Sequence, residues 1–209
     1  MSACWVCDGP VEPFYTVPDI PSASCVLIDT REDALAHPRG SLTLAVCPRC
    51  GFIQNDSFDE DLVDYEVPYE ESQGGSATFR AFAESQIAGL RDRYELDGGV
   101  LVEVGCGKAV WLAMACAGLG MRGVGIDPAY VPGRVSDDIE AEYEVLVDYY
   151  DAASDLHGDL VACRHTLEHV PNVAEFTSWL GASAQGGDPG IVFIEVPDTL
   201  RILEEGAFW

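Results

Sequence analysis

From Val100 to Val196 the chain repeats one pattern: an apolar run of strand length, then a turn, then a helix or polar connection. The runs are Val100–Val104, Gly123–Ile126, Tyr143–Val147, Leu160–Cys163 and Ile191–Val196, with helices expected over Ala109–Leu119 and Val173–Ala184. Strands that are apolar throughout are covered on both faces, and strands separated by helices run parallel. The pattern predicts an α/β fold built on a parallel sheet. Ala77–Arg93 reads as a further helix ahead of it, with Phe79, Phe82, Ile87 and Leu90 near one face.

Residues 1–55 have a different texture. They are rich in Cys and Pro, with short β-prone runs at Ser24–Ile28, Ser41–Val46 and Gly51–Gln54. That is the composition of a small sheet stapled by something other than a large core. Cys4-x2-Cys7 and Cys47-x2-Cys50 supply the staple. Each CxxC turn aims two thiolates at one point, and two such turns complete a tetrahedral site suited to zinc. Gly51, directly after the second pair, fits the tight backbone such a turn needs. A closed set of four cysteines has no open coordination position, so the metal would be structural. Two vicinal thiol pairs, redox-active or oxidised, are the alternative. Cys25, Cys106, Cys116 and Cys163 lack ligand spacing and read as buried thiols, and His37 is not needed as a ligand. The expected domains are 1–55 for zinc, 56–97 for an acidic connector and lead-in helix, and 98–209 for the parallel sheet.

Charge narrows the partners. There are 36 acidic residues against 11 basic ones, a net charge of −25. Such a surface repels phosphate backbones and anionic membranes, which argues against nucleic acid. No run approaches the roughly 18 apolar residues of a membrane span. The N-terminus lacks the basic-then-apolar layout of a signal peptide, so the default expectation is the cytoplasm. Lys108 is the only lysine. A high-salt cytoplasm and a GC-rich genome explain an acidic, lysine-poor chain equally well.

The chemistry gathers where the first long strand ends. Glu103-Val104-Gly105-Cys106-Gly107 closes that strand and opens a helix, so the backbone can approach a ligand and free N–H groups face it. Asp127 ends the second strand, where a carboxylate can take both ribose hydroxyls. A dinucleotide fingerprint places a third glycine where Val110 stands, to pack around a pyrophosphate. S-adenosylmethionine has no pyrophosphate, and an acid two residues before the first glycine suits its ammonium. Glycine pair, Glu103, Asp127 and strand pattern together point to S-adenosylmethionine.

Two further places could line that cleft. Asp148 ends the third strand, where it could accept from an adenine amino group or be a solvated acid. Arg164-His165-Thr166-Leu167-Glu168-His169-Val170-Pro171 follows the fourth strand. His165 is expected to line the cleft, while Glu168 and His169 could brace the next helix. No residue stands out as a catalytic base.

In this order the motifs resemble the S-adenosylmethionine-dependent C-methyltransferases that act on deoxysugars. The resemblance rests on Cys4-x2-Cys7, Cys47-Pro-Arg-Cys50-Gly51-Phe-Ile-Gln54-Asn55, the connector tyrosines Tyr65 and Tyr69, Leu101-Val-Glu103-Val-Gly105-Cys-Gly107 and His165-Thr-Leu-Glu168-His169-Val-Pro171. It implies a small zinc-binding β domain before a class I methyltransferase, Rossmann-like domain. It also implies that Tyr65 and Tyr69 fold over the cofactor, and that the acceptor is a small molecule such as a sugar nucleotide. O- and N-methyl transfer use the same cleft. Two departures stand out. Similar proteins carry a further glycine where this chain has Ala109. Their sheets also continue past the fifth strand, and a Glu-His segment there supplies the base. A longer parent chain or a catalytically incomplete cofactor-binding module is therefore expected.

Overall fold

The computed structural model describes residues 2–22, 26–62, 75–133, 135, 139–186 and 190–206. The chain divides into two compact units, one from residues 1–70, 171–174 and 199–209, the other from 71–170 and 175–198.

In the first unit, β1 (Glu12–Pro21), β2 (Arg39–Val46) and β3 (Ile53–Asn55) form an antiparallel sheet in that order, with a short helix α1 (Arg31–Ala36) between β1 and β2. β2 and β3 lie on two of the expected runs. The third expectation fails: Val26–Ile28 is not strand, and Ser24 and Cys25 lie outside the described residues. Instead β1 supplies the missing strand. Its Pro13, Pro18 and Pro21 argue against a strand in sequence, yet β1 is an edge strand whose register slips between Pro13 and Tyr15 and between Val17 and Ile20. At an edge, and at a bulge, a missing N–H costs no ladder bond. α1 was also unexpected. It buries no residue, so it carries no apolar stripe, and its start is marked only by the Thr30 hydroxyl accepting from the Asp33 N–H at 3.1 Å.

The core of this unit is Cys4, Val11, Ala45 and Cys47, with Cys7 and Phe52 packed against it. Thiols make up half of that buried set. So small an apolar core does not hold a domain of this length without a further cross-link.

The second unit opens with α2 (Ala77–Tyr94), capped by the Ser76 hydroxyl accepting from the Phe79 N–H. Its buried face is Ala83, Ile87 and Leu90, whereas Phe82 is half exposed. The inward face is thus narrower than the aromatic spacing suggested. Ile87 approaches α3 so closely that a Cβ on Gly118 would meet its Cγ2 at 2.7 Å. The remaining elements are β4 (Val100–Val104), α3 (Val110–Leu119), β5 (Arg122–Ile126), β6 (Tyr143–Leu146), β7 (Leu160–Arg164), α4 (Val173–Ser183) and β8 (Ile191–Glu195). α5 (Thr199–Glu205), which no periodicity announced, follows and belongs with the first unit.

The five strands are parallel, in the order β6-β5-β4-β7-β8. This is the expected α/β, Rossmann-like parallel sheet. On one face Leu101, Leu160 and Ala162 pack with Leu112, Leu119 and Ile87 of α3 and α2. On the other, Val102, Val104, Val161 and Cys163 pack with Phe176 and Leu180 of α4. Cover on both faces holds for β4, β5 and β7 but not for the outer strands. Along β8 exposure alternates, and Val192 and Ile194 are 38% and 40% exposed. Cys106, Cys116 and Cys163 are buried thiols, as expected. No helix among the described residues is long and apolar enough to cross a membrane.

Candidate functional site

The chain leaves β4 toward β5 on one side, while β7 lies on the other, so the carboxyl ends of β4 and β7 flank a topological switch point. Open α/β sheets bind ligands in the crevice at such a point. The glycine turn sits there. Gly105 and Gly107 have φ of 70° and 52°, in the left-handed region. At Gly105 space forbids a side chain as well: a Cβ would lie 2.0 Å from the Thr166 hydroxyl. The Gly105 N–H donates to the Ile126 carbonyl at 2.9 Å, tying the turn to the end of β5. Ala109 takes φ 58° as the residue capping α3, which is why the helix begins at Val110 and not at Ala109.

Asp127 locks the far side of the turn. One of its carboxylate oxygens accepts from the Gly107 N–H and the other from the Ala129 N–H, each at 2.8 Å. Each oxygen keeps a free lone pair, so the carboxylate can still accept ligand hydroxyls. Cys106 contributes only backbone to the turn. Its sulfur points at β5, where a Cβ on Gly125 would meet it at 2.6 Å, and burial holds the thiol protonated.

Glu103 lies beneath the turn, 2% exposed. Burial pushes its carboxyl up to about 8, against the pull of the Arg164 guanidinium, and the Asp127 and Glu195 carboxylates push it further up. Its Oε2 has no hydrogen-bond partner. That oxygen is left able to accept a hydrogen bond from a polar guest.

β7 and β8 add a charge cluster. Arg164 Nε donates to Glu195 Oε2 at 2.7 Å, and the guanidinium carbon lies 4.7 Å above the Trp111 ring. Trp111 in turn stacks on Phe193 at 5.9 Å. His165, in a left-handed conformation with φ 49°, stands 3.7 Å from Glu168 and 3.5 Å from Glu195. The Glu168 and Glu195 carboxylates raise it to about 9 despite partial burial. Burial alone would raise Glu195; His165 and Arg164 outweigh it and hold the carboxyl down to about 2.

The structure thus joins Glu103, Gly105, Cys106, Gly107 and Asp127 in one unit, and His165 adjoins it through its neighbour Thr166. Asp148 does not join them: it is exposed just after β6, and its carboxylate accepts from the Tyr149 N–H at 2.8 Å. His169 is exposed in the 3-10 turn Leu167–His169. Tyr65 and Tyr69 lie outside the described residues. The sequence reading missed Arg164, Glu195 and Trp111. A charged residue inside the apolar run Ile191–Val196 was the available signal for Glu195.

In the first unit, the sulfurs of Cys4, Cys7, Cys47 and Cys50 all lie within 4.8 Å of one another. Cys4–Cys50 and Cys7–Cys47 are each 3.6 Å apart, too far for a disulfide. Four sulfurs at about 2.3 Å from a central zinc would stand roughly 3.8 Å apart, so the spacing fits a tetrahedral ion. The two knuckles match in detail. The residue after each pair, Asp8 or Gly51, is left-handed, and its N–H returns to the first cysteine's carbonyl at 3.0 or 2.8 Å.

Residues 79–209 match a family model described as a methyltransferase domain. A ubiquinone biosynthesis O-methyltransferase from Burkholderia multivorans is 31% identical over 100 residues, 44% of this chain and 43% of that protein. One of the same name from Paraburkholderia phytofirmans is 35% identical over 86 residues, 38% of this chain and 37% of its own length. The chain spans about two-fifths of the length of these curated relatives. Among solved structures, a SAM-dependent methyltransferase from Geobacter sulfurreducens in complex with S-adenosyl-L-homocysteine matches over 53% of this chain and 47% of that one, at 20% identity and a TM-score of 0.38.

Proposed function

This chain belongs to the methyltransferase domain family, and we propose that it binds S-adenosylmethionine at the glycine turn and serves methyl transfer to a small-molecule acceptor. The observation that carries the reading is the buried, unpartnered Glu103 Oε2 under a left-handed glycine turn that Asp127 holds from the other side. A buried carboxyl oxygen without a donor suits an ammonium, and a carboxylate with spare lone pairs suits ribose hydroxyls. Gly105 and Gly107 leave the backbone bare for close approach, and His165 borders the same crevice. Following the resemblance, Tyr65 and Tyr69 are proposed as further cofactor contacts. Asp148, which stands exposed apart from the turn, is proposed as a contact only for the far, adenine end of the cofactor. The cofactor, when bound, supplies an electrophilic methyl group on sulfur. The residues of this chain hold and orient it, and positioning is the larger part of such catalysis.

For the acceptor we favour carbon methylation of a keto-sugar nucleotide, in keeping with the four-cysteine knot and the order of motifs. O-methylation is the second reading, favoured by the names of the two relatives. Cys4, Cys7, Cys47 and Cys50 are proposed to hold a structural zinc that cross-links the first unit.

Calorimetry with S-adenosylmethionine and its demethylated product tests the central claim, and no binding by either would overturn it. Transfer of labelled methyl to keto-sugar nucleotides or to hydroxyl-bearing acceptors then separates the two readings by which atom carries the label.

A further inference from the structure

Four buried side-chain polar atoms among the described residues have no partner: Gln86 Oε1, Glu103 Oε2, Trp111 Nε1 and Arg164 Nη2. They belong to one neighbourhood on the α2/α3 side of the sheet. Arg164 covers Trp111 and bonds Glu195, which also receives a hydrogen bond from Gln86. Glu103 lies on the same face of β4. Its surroundings hold three carboxyl groups, Glu103, Asp127 and Glu195, against one guanidinium, Arg164, whose Nε is already given to Glu195.

That arrangement cannot keep all three carboxyl groups ionised cheaply. Asp127 has two N–H donors and Glu195 has Arg164 and His165, so both are compensated. Glu103 receives only the Leu112 N–H from α3, and its other oxygen receives nothing. Among the described residues, Arg164 is the one cation that bears on the Glu103 carboxyl. α2 presents the neutral Gln86, and the thiols of Cys106 and Cys116 are themselves held protonated, chiefly by burial. His165 is turned to Glu168 and Glu195. A buried carboxyl without compensation keeps its proton.

We propose that Glu103 holds its proton in the free protein and releases it when an ammonium group docks at the glycine turn, so that cofactor binding expels one proton and tightens as pH rises. The inference rests on reading that turn as the S-adenosylmethionine site. The sign follows from linkage: the bound form carries fewer protons than the free form, so affinity rises with pH until the free form is already ionised. With Glu103 lifted to about 8, the window lies below pH 8. There the apparent affinity falls roughly tenfold for each unit of decreasing pH.

Two measurements on the whole chain test it. Infrared spectra of the free protein at pH 7 should show a protonated-carboxyl stretch that vanishes above pH 9 and is missing in Glu103→Gln. Calorimetry with S-adenosylhomocysteine at pH 7, in phosphate and in Tris, should show close to one proton released. The affinity should rise roughly tenfold from pH 6 to pH 7, and the rise should end near pH 8, above which loss of the ligand's own ammonium proton weakens binding again. Glu103→Gln should bind weakly with no proton release and no such slope. If the wild type lacks the carboxyl band, or binds without releasing a proton, the proposal fails while the cofactor site stands. Absence of binding at every pH sinks the cofactor reading and the proposal with it. The infrared band and the two-buffer measurement need only the wild-type protein, so a variant that fails to fold does not block the test.

Discussion

Arg164 and Glu195 stand opposite each other in the parallel register of β7 and β8, and their side chains meet at 2.7 Å with only 7% and 18% of their surface exposed. The pair sits where strand ends meet the crevice, and Trp111 roofs the guanidinium at 4.7 Å. Removing one partner of a buried ion pair leaves the other charge uncompensated, at a cost of about 3–5 kcal/mol. Arg164→Met should therefore destabilise the chain by about 3 kcal/mol in urea denaturation. Arg164→Met with Glu195→Met should recover part of that loss. A double variant no better than the single one would show that the pair is not the source of the cost.

The same cluster sets a pH window for stability. Glu195 is held down to about 2, so its contribution is present above the ordinary carboxylate range and is lost as pH falls through 2. His165 is raised to about 9, so its contribution is complete below the ordinary histidine value and disappears as pH rises through 9. His165 is 53% exposed, and solvent screening reduces its share. Glu103, raised to about 8, adds its own loss of stability as pH climbs from the ordinary carboxylate value to about 8. The plateau between about pH 4.5 and pH 6.5, falling on both sides, should therefore emerge in denaturation midpoints of Glu103→Gln measured from pH 2 to pH 10. Glu195→Gln should flatten the acidic limb most. An unchanged acidic limb would count against the pairing.

Much of this was legible in the residues, and the exceptions have physical causes. The five strands of the parallel sheet announce themselves because β4, β5 and β7 are buried on both faces and so are apolar throughout. Glu103, Gly105, Gly107 and Asp127 are legible for a different reason: a turn between strand and helix restricts which residues can occupy it. β1 was illegible because its prolines are tolerated only by its place at the edge, which is a tertiary fact. α1 and α5 are short and bury nothing, so no periodicity marks them. The Arg164–Glu195 pair depends on strand register, and register between β7 and β8 cannot be read from either strand alone.

The cysteine cluster should behave as a metal site. Purified protein is expected to contain close to one zinc per chain, lost on Cys4→Ser or Cys50→Ser, by elemental analysis. Because the apolar core of that unit is, among the described residues, as small as Cys4, Val11, Ala45 and Cys47, chelation should unfold the unit and expose its backbone amides to exchange. Protection in β4 and β7 should persist. Two disulfides found by mass spectrometry would remove the site altogether.

Ala109 tests how the turn tolerates a side chain. It is fully buried and left-handed, with φ 58°. Ala109→Gly gains about 1–2 kcal/mol from relief of the left-handed penalty. It loses about 0.8 kcal/mol of methyl burial and roughly another 0.5–1 in unfolded-chain entropy. These nearly cancel, so the change in stability should stay within about 1 kcal/mol. Ala109→Val adds β-branched bulk where neither conformation nor space admits it, and should cost more than about 2 kcal/mol. Equal effects of the two substitutions would contradict the left-handed assignment.

Gly105 allows the sharpest test, because two separate constraints act on it. Its φ of 70° penalises any side chain by about 1–2 kcal/mol. An added Cβ would in addition lie 2.0 Å from Thr166 Oγ1 and 2.8 Å from Thr166 Cβ. Gly105→Ala should therefore shift the turn and weaken S-adenosylhomocysteine binding beyond detection by calorimetry. Thr166→Gly alone empties the space but leaves the backbone of the turn in place. Combined with Gly105→Ala, it removes the collision and leaves only the conformational penalty. The double variant should then bind within about thirtyfold of Thr166→Gly alone, since 2 kcal/mol corresponds to roughly that factor. Additive losses in the double variant would mean that Thr166 is not what closes the space above Gly105.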